Sequence, residues 1–126
     1  MKRSLMHAYV RGSDKAVPFY QEAFDAPLVS SYLNDDGTFY HAEIDIQGQI
    51  FSLSERSSDT TGDKSVIGNI MQFCLHYGEG CEAELQKAYE VLKTDATILV
   101  PLTPCDFSPL MVDLIDKYGV RWGLFI

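Results

Sequence analysis

The sequence predicts an α+β fold, in which two tandem βαβββ modules form one curved eight-stranded mixed sheet with the helices on its convex side. Three observations support this prediction. Both halves of the chain show the same order of one strand, one helix and three strands. The halves have similar lengths, which argues for an internal duplication. Between them, residues 55–64 (ERSSDTTGDK) carry no aliphatic side chain and indicate a solvated loop. We therefore expect a single domain over residues 1–126, with modules at about 1–54 and 68–126.

The elements of the first module follow from periodicity and from turn residues. A helix is expected from Asp14, whose side chain can cap its amino end, to Phe24, because apolar residues recur at helical spacing between them. The segment Asn34-Asp35-Asp36-Gly37 is typical of a hairpin turn between two strands. The predicted strands of this module cover residues 5–12, 28–33, 38–46 and 50–54.

The second module repeats this order. An amphipathic helix is expected over residues 81–93, where Leu85, Ala88 and Leu92 lie at helical spacing. A connection that contains proline and aspartate is expected between the second and third strands of this module. Its predicted strands cover residues 68–77, 97–102, 110–115 and 120–126.

Charge and composition exclude several classes of protein. The chain has 10 Lys and Arg against 18 Asp and Glu, a formal net charge of −8, which repels a phosphate backbone and argues against nucleic-acid binding. No apolar run approaches the roughly 18–20 residues that span a bilayer, and charged residues come too early for a signal peptide. The three cysteines lack CxxC spacing, which favours reduced thiols and a cytoplasmic location; they are Cys74, Cys81 and Cys105.

Several short segments, in their order and spacing, resemble one known family. Residues 41–48 (HAEIDIQG) and 51–55 (FSLSE) follow a helix that carries Phe19-Tyr20 and Ala23-Phe24. The later segments are Gly68-Asn69, Pro101-Leu102 and residues 116–122 (DKYGVRW). Together they are similar to the PhnB-like branch of the vicinal oxygen chelate superfamily, which includes glyoxalases, bleomycin resistance proteins and dioxygenases. The resemblance implies paired βαβββ modules and a homodimer. It also implies a ligand or metal site in the hollow on the concave side of each curved sheet, here called the cup.

The chain departs from this branch after Pro101-Leu102. Phe107 stands where the branch usually carries a tryptophan, and Ser108-Pro109-Leu110-Met111 replaces a glycine-rich strand start. We therefore carry over no ligand contact from this segment of the family.

The metal site that the resemblance implies lacks donors in this chain. Metal-using members present His, Glu or Gln from the first and last strands of a module. Here the first strand offers His7, or Met6 if its register shifts by one residue, and the glutamate expected on the fourth strand falls at Ser52 or Ser54. The last strand of the second module holds no acid, and its first strand holds Gln72, Cys74 and His76. We therefore predict no metal and no other cofactor, with a divalent ion as the alternative.

Polar residues of the third strand share one face. His41, Glu43 and Asp45 alternate with apolar residues, so they point into the cup if the helix covers the other face. Ser52 and Ser54 have the same parity on the next strand. The alternative interpretation is a solvated strand face or a dimer surface with satisfied polar groups.

Six residues are predicted to contact a ligand, and none is predicted to be catalytic. His76 ends the fifth strand beside a glycine turn, where an exposed surface histidine is the alternative. Trp122 is the single tryptophan, in an otherwise apolar last strand, where core packing is the alternative to stacking on a ligand. The predicted ligand-binding residues are His41, Glu43, Ser52, Ser54, His76 and Trp122.

These features favour a glyoxalase-like, bleomycin-resistance-like homodimer that binds a small molecule without transforming it. The negative charge and the Glu43 and Asp45 side chains indicate a cationic or polar aromatic ligand. One alternative is a metal-dependent lyase, isomerase or dioxygenase, which needs a divalent ion to hold two substrate oxygens. Another is a dimer whose cup has no ligand. The expected partners are a second copy of the chain and a small molecule, with no nucleic acid and no membrane.

Overall fold

The computed structural model describes residues 1–56, 67–68 and 70–126, and the chain divides into two compact units, Met1–Val66 (unit 1) and Ile67–Ile126 (unit 2). The elements of unit 1 are β1 (Met6–Val10), α1 (Ser13–Phe24), β2 (Leu28–Leu33), β3 (Phe39–Ile46) and β4 (Gln49–Glu55). Those of unit 2 are β5 (Phe73–His76), α2 (Glu82–Leu92), β6 (Thr97–Cys105), β7 (Ser108–Ile115) and β8 (Arg121–Phe125). The predicted βαβββ order is confirmed in both units.

Each unit holds one open four-stranded mixed sheet. The strand orders are β1-β4-β3-β2 in unit 1 and β5-β8-β7-β6 in unit 2. The first strand of each unit runs parallel to the last, and the other neighbours are antiparallel. The α+β class is therefore confirmed, whereas the joining of the two sheets into one curved sheet stays a prediction.

The core of unit 1 lies between α1 and one face of its sheet. Tyr20 of α1 is fully buried, and its ring meets that of Phe51 edge to face with the ring centroids 5.0 Å apart. Strand residues at every second position point to this face, because side chains alternate along a strand. The fully buried apolar residues of these elements include Ala16, Ala42, Ile44 and Leu53. The opposite face of the same strands is left for polar side chains.

The amino end of α1 is capped by a residue from another element. Gly12 stands before the helix with a φ of 77°, a conformation that suits glycine, and no side chain of the helix caps it. The carboxylate of Glu55 accepts the backbone N–H groups of Gly12 and Ser13, both at 3.0 Å. The prediction that Asp14 caps the helix is therefore wrong. Because Glu55 belongs to β4, it also extends that strand beyond its predicted end.

The core of unit 2 repeats this arrangement. Leu85 and Leu92 of α2 are fully buried, as are Val112 and Leu114 of β7. Trp122 of β8 is also fully buried, and its indole N–H donates to Asp116 at 2.9 Å. The last strand therefore contributes its large aromatic ring to the core of the unit.

Two boundaries of unit 2 differ from those predicted. β5 begins at Phe73 instead of residue 68. β6 continues to Cys105 and β7 starts at Ser108, so a short turn joins two longer strands in place of the expected connection. Prolines do not stop β6, because it is the edge strand of its sheet and does not need every N–H for pairing.

Some predictions fall outside the described residues. The structure does not describe residues 57–64 of the expected central loop, nor Asn69 of the segment Gly68-Asn69. In the described part of the chain, no helix is long and apolar enough to cross a membrane.

Candidate functional site

Polar side chains line the face of the unit 1 sheet that points away from α1. In the register of the sheet, His7 of β1 stands opposite Ser52 of β4, and Ser52 stands opposite Glu43 of β3. The three side chains therefore form one row across three strands. His7, and not Met6, occupies this row, which settles the register left open by the sequence.

A cavity of about 1010 Å³ lies on this side of unit 1. Its volume is at the upper end of the range of small-molecule sites. The residues that line it are His7, Tyr9, Arg11, Tyr32, Asn34, Asp36, Thr38, Tyr40, His41, Ser54, Glu55 and Arg56. Two of the predicted ligand-binding residues, His41 and Ser54, are among them.

Glu43 stands at the centre of an ion-pair network beside the cavity. Its two carboxylate oxygens accept from the guanidinium of Arg3 at 3.0 and 2.9 Å, and one also contacts Nε2 of His41 at 3.0 Å. The hydrogen bonds from Arg3, and then that from His41, lower the pKa of Glu43 to about 2. Glu43 therefore carries its charge throughout the neutral range, and that charge is balanced within the protein.

His7 packs against His41 and bonds to Ser52. The two imidazole rings are stacked with their centroids 5.7 Å apart and an interplanar angle of 14°. Nδ1 of His7 lies 2.6 Å from the hydroxyl oxygen of Ser52, and the Ser52 hydroxyl donates to the carbonyl of Met6 at 3.1 Å. Burial, and then the nearby His41, lowers the pKa of His7 below its ordinary value of 6.5.

The second ring nitrogen of His7 has no hydrogen-bond partner. Nε2 is buried, and it is the single buried side-chain nitrogen or oxygen of the described residues that makes no hydrogen bond. An unpaired buried polar atom costs about 1–3 kcal/mol relative to a paired one. The site therefore contains one polar position that the protein leaves unsatisfied.

The two acids that line the cavity have partners among uncharged groups. Glu55 accepts from the backbone at the start of α1, as described above. Asp36 accepts from the backbone N–H of Thr38 at 2.9 Å and from its hydroxyl at 2.6 Å. These bonds lower the pKa of Asp36. Both carboxylates therefore help to shape the wall of the cavity.

A β-bulge brings Tyr40 to the cavity. Tyr32 pairs with His41 and Leu33 with Phe39, so Tyr40 has no partner on β2. Such an extra residue bends the strand and changes the direction of its side chain. Simple alternation places Tyr40 on the helix side with Ala42, but 70% of its surface is exposed and it lines the cavity. The sequence contains no signal for this bulge.

Two of the predicted ligand-binding residues lie in unit 2. The ring of His76 stacks on that of Phe125 with centroids 4.6 Å apart, and His76 is exposed. Trp122 is fully buried in the core of the unit. Unit 1 therefore brings together His41, Glu43, Ser52 and Ser54, whereas His76 and Trp122 belong to unit 2.

In unit 2, the position that corresponds to Ser52 is occupied by a glycine under a glutamine side chain. Cys74 stands opposite Gly123, which stands opposite Asp113, as His7, Ser52 and Glu43 do in unit 1. The carboxamide of Gln72 covers Gly123, and its nitrogen donates to Asp113 at 2.9 Å. Arg121 also pairs with Asp113, at 2.6 Å. The equivalent face of unit 2 thus contains a protein side chain above its central row.

The residues of unit 1 do not fit a divalent metal ion. Such an ion needs several nitrogen or oxygen donors directed at one point. Nε2 of His41 contacts Glu43, both oxygens of Glu43 are held by Arg3, and Ser52 replaces the carboxylate that a metal would use. His7 offers one nitrogen. Over residues 1–56, 67–68 and 70–126, no group of three His, Cys, Asp or Glu side chains is arranged to hold a metal.

Known structures resemble this chain over nearly its whole length. A putative 3-demethylubiquinone-9 3-methyltransferase, PhnB protein, from Bacillus cereus is 26% identical, with 98% of each chain covered and a TM-score of 0.81. Protein PA1353 from Pseudomonas aeruginosa is 14% identical, with 99% and 97% coverage and a TM-score of 0.82. The fosfomycin resistance protein FosX from Listeria monocytogenes, solved with Mn(II) and sulfate, is 14% identical, with 98% and 87% coverage and a TM-score of 0.65. No family model and no curated protein matches the chain.

Proposed function

Because this chain belongs to the vicinal oxygen chelate superfamily, we propose that it is a small-molecule binding protein whose site is the cavity of unit 1. The observation that carries the proposal is the cavity itself, lined by tyrosine and histidine rings on a rigid sheet. Ligand sites in proteins are typically concave, with aromatic walls and a few polar groups that fix orientation.

The bonds within the site favour binding without catalysis. General acid–base chemistry needs a group whose pKa lies near the working pH. Glu43 is far from that range, since its pKa is lowered to about 2. His41 contacts Glu43, and Ser52 is held between Met6 and His7. Glu43, His41 and Ser52 are thus used to hold neighbouring groups in place.

The expected ligand is neutral and aromatic. The anions that led us to expect a cation are engaged, since Glu43 is paired with Arg3 and His41, and Asp45 accepts the backbone N–H of Gly48. Tyr9, Tyr32 and Tyr40 are 64–70% exposed and all line the cavity. Stacking and edge-to-face contacts with such rings favour planar ligands.

We also propose that the protein is a cytoplasmic homodimer. The edge strand β2 exposes the apolar side chains of Leu28, Val29 and Leu33, which a second copy could cover. The free cysteines Cys74, Cys81 and Cys105 agree with a reducing compartment. Sedimentation equilibrium tests the dimer, and a mass of one chain at micromolar concentration contradicts it.

A thermal-shift screen tests the binding function. A ligand that binds the folded protein but not the unfolded chain raises the melting temperature, and the rise grows with the logarithm of its concentration over its Kd. We expect neutral bicyclic aromatic compounds to raise it and to be recovered unchanged after incubation. The variant His41→Ala should lose the shift and His76→Ala should keep it. A shift that needs His76 but not His41 would contradict the site.

The alternative function is a metal-dependent lyase, isomerase or dioxygenase. The observation in its favour is the structural likeness to FosX, which has been solved with Mn(II). Elemental analysis of protein purified without a chelator decides between the two. One equivalent of manganese, nickel, zinc or iron per chain would favour the enzyme, and its absence after growth with added metals would favour the binder.

A further inference from the structure

The hydrogen bonds of Ser52 determine which nitrogen of His7 carries the proton. The Ser52 hydroxyl has a single hydrogen, and the carbonyl of Met6, 3.1 Å away, can only accept. With that hydrogen given to Met6, the contact of 2.6 Å between Ser52 Oγ and His7 Nδ1 needs a hydrogen on Nδ1. Both contacts become hydrogen bonds only in this arrangement.

The neutral ring then has a bare lone pair at Nε2. This atom is buried and makes no hydrogen bond to the described residues. The opposite tautomer would bury an unpaired N–H, which is rarer in proteins than an unsatisfied acceptor. A protonated ring would bury a charge as well. The lowered pKa of His7, caused mainly by burial, agrees with a neutral ring.

The position of His7 makes this lone pair available to a ligand after a small side-chain movement. His7 lines the cavity, and its neighbouring rings are those of His41 and Tyr9. Tyr9 is 64% exposed, and its ring meets that of His7 edge to face at 4.9 Å, so it can move without disturbing the core. A group that reaches Nε2 must either donate a hydrogen or be a metal ion, and the other donors do not fit a metal.

From these observations we infer that the ligand of unit 1 is a neutral planar molecule carrying a hydroxyl or N–H group that donates to Nε2 of His7. The inference rests on the proposed function, since it assigns the chemical class of the ligand of the same cavity. A phenol or an indole N–H belongs to this class, and its methylated analogue does not. Such a ligand binds more tightly because it gives a hydrogen bond to Nε2 of His7, an acceptor that has no partner in the free protein.

The tautomer is tested without any ligand. In protein labelled with ¹⁵N-histidine, long-range ¹H–¹⁵N correlations at pH 7.5 distinguish the two neutral tautomers, and the variant His7→Phe identifies the signals of His7 by their loss. We expect Nδ1 to be protonated and Nε2 to be bare. The matched variant His76→Phe should leave those signals unchanged. A protonated Nε2 in the native protein overturns the inference.

Matched probes test the ligand class. We expect 2-naphthol to bind about tenfold more tightly than 2-methoxynaphthalene, and indole about tenfold more tightly than 1-methylindole, as one recovered hydrogen bond implies. In His7→Phe, which keeps an aromatic ring, the two members of each pair should bind alike. Equal binding to the native protein overturns the inference and leaves the proposed function standing, whereas binding of neither member up to the solubility limit contradicts both.

A metal titration tests the competing occupant. Mn(II) alone is added to the labelled protein, because a bound paramagnetic ion broadens nearby signals. We expect the His7 signals to persist at one equivalent and micromolar concentration. Their selective loss at that stoichiometry means that Nε2 is a metal ligand, and this overturns the inference.

Discussion

Arg3 and Glu43, forty residues apart in the chain, form an ion pair through two hydrogen bonds of 3.0 and 2.9 Å. The arginine belongs to the segment before β1, and the glutamate lies in the middle of the sheet. The pair therefore ties the amino-terminal segment to β3 at the edge of the proposed site. Glu43 is also the contact of His41, so the same carboxylate orients one of the rings that line the cavity.

The first prediction concerns the pH dependence of stability. The pKa of Glu43 is lowered in the folded state, from 4.5 to about 2. The contribution of its ionised carboxylate to the free energy of unfolding is therefore full above pH 4.5 and is lost as the pH falls towards 2. We expect Glu43→Gln to lower the free energy of unfolding by about 1–2 kcal/mol at pH 7. The difference from the native protein should shrink between pH 4.5 and 2. Urea unfolding at a series of pH values measures it.

The control for this prediction is Glu90→Gln. Glu90 pairs with Lys93 on the exposed surface of unit 2, where an ion pair contributes little. Its substitution should change stability by less than about 0.5 kcal/mol at any pH. A similar, pH-independent loss in both variants would show that the ion pair of Glu43 is not the cause.

The second prediction concerns the pH dependence of binding. A neutral His7 accepts a hydrogen and a protonated one cannot. The affinity for 2-naphthol should therefore be constant from pH 6.5 to about 8, where the naphthol still carries its hydrogen, and should fall in more acidic solution. The pKa of His7 is lowered, which shifts the fall to the acid side of 6.5. The titratable or charged groups around the ring are Tyr9, His41, Glu43 and the Arg3 paired with it. Fluorescence titration gives the affinity, and 2-methoxynaphthalene should show no such fall.

The third prediction concerns Tyr40, which the bulge in β3 brings to the cavity. We expect Tyr40→Ala to weaken the binding of 2-naphthol about fivefold, since an aromatic contact contributes about 1 kcal/mol. Because Tyr40 is 70% exposed, the melting temperature should hardly change. Phe107→Ala is the matched control, because Phe107 is 68% exposed and is not among the residues that line the cavity. Equal losses in the two variants would argue against a specific role for Tyr40.

The fourth prediction concerns the packing of Gln72 on Gly123. A Cβ at residue 123 would lie 2.8–2.9 Å from the carboxamide of Gln72, so Gly123→Ala must displace that flexible group, and we expect the shift to weaken its bond to Asp113. We expect a loss of about 1 kcal/mol. In the Gln72→Ala background the same change should stabilise by a few tenths of a kcal/mol, because alanine restricts the unfolded chain more than glycine does. A double-mutant cycle by urea unfolding measures the coupling, and additive effects would contradict the contact.

Much of the fold was predictable because it depends on local patterns. The period of two in β3 places Ala42 and Ile44 on the helix side and His41 and Glu43 on the other, as the structure has them. The turn before β3 was predictable from Gly37, which has a φ of 86° in a hairpin that few other residues can form. These features involve interactions between residues that are close in the sequence.

The residue that caps the amino end of α1 and the bulge at Tyr40 were not predictable in this way. Asp14 has the side chain of a helix cap, yet Glu55 takes that role because the parallel pairing of β1 and β4 brings it to the amino end of α1. Tyr40 leaves the alternation of β3 because it has no partner on β2. In both cases a contact between distant segments competes with a local preference and is the one that forms.

The sequence alone determined the repeated order of elements and the buried face of β3 at Ala42 and Ile44, since both follow from spacing along the chain. Only the tertiary structure decided how the charges and hydrogens of the site are distributed. Arg3, from the segment before β1, neutralises Glu43. Ser52 directs the proton of His7, because the sheet register sets these two side chains within hydrogen-bond distance of each other. Such pairings depend on distances across strands, which no pattern along a single strand contains.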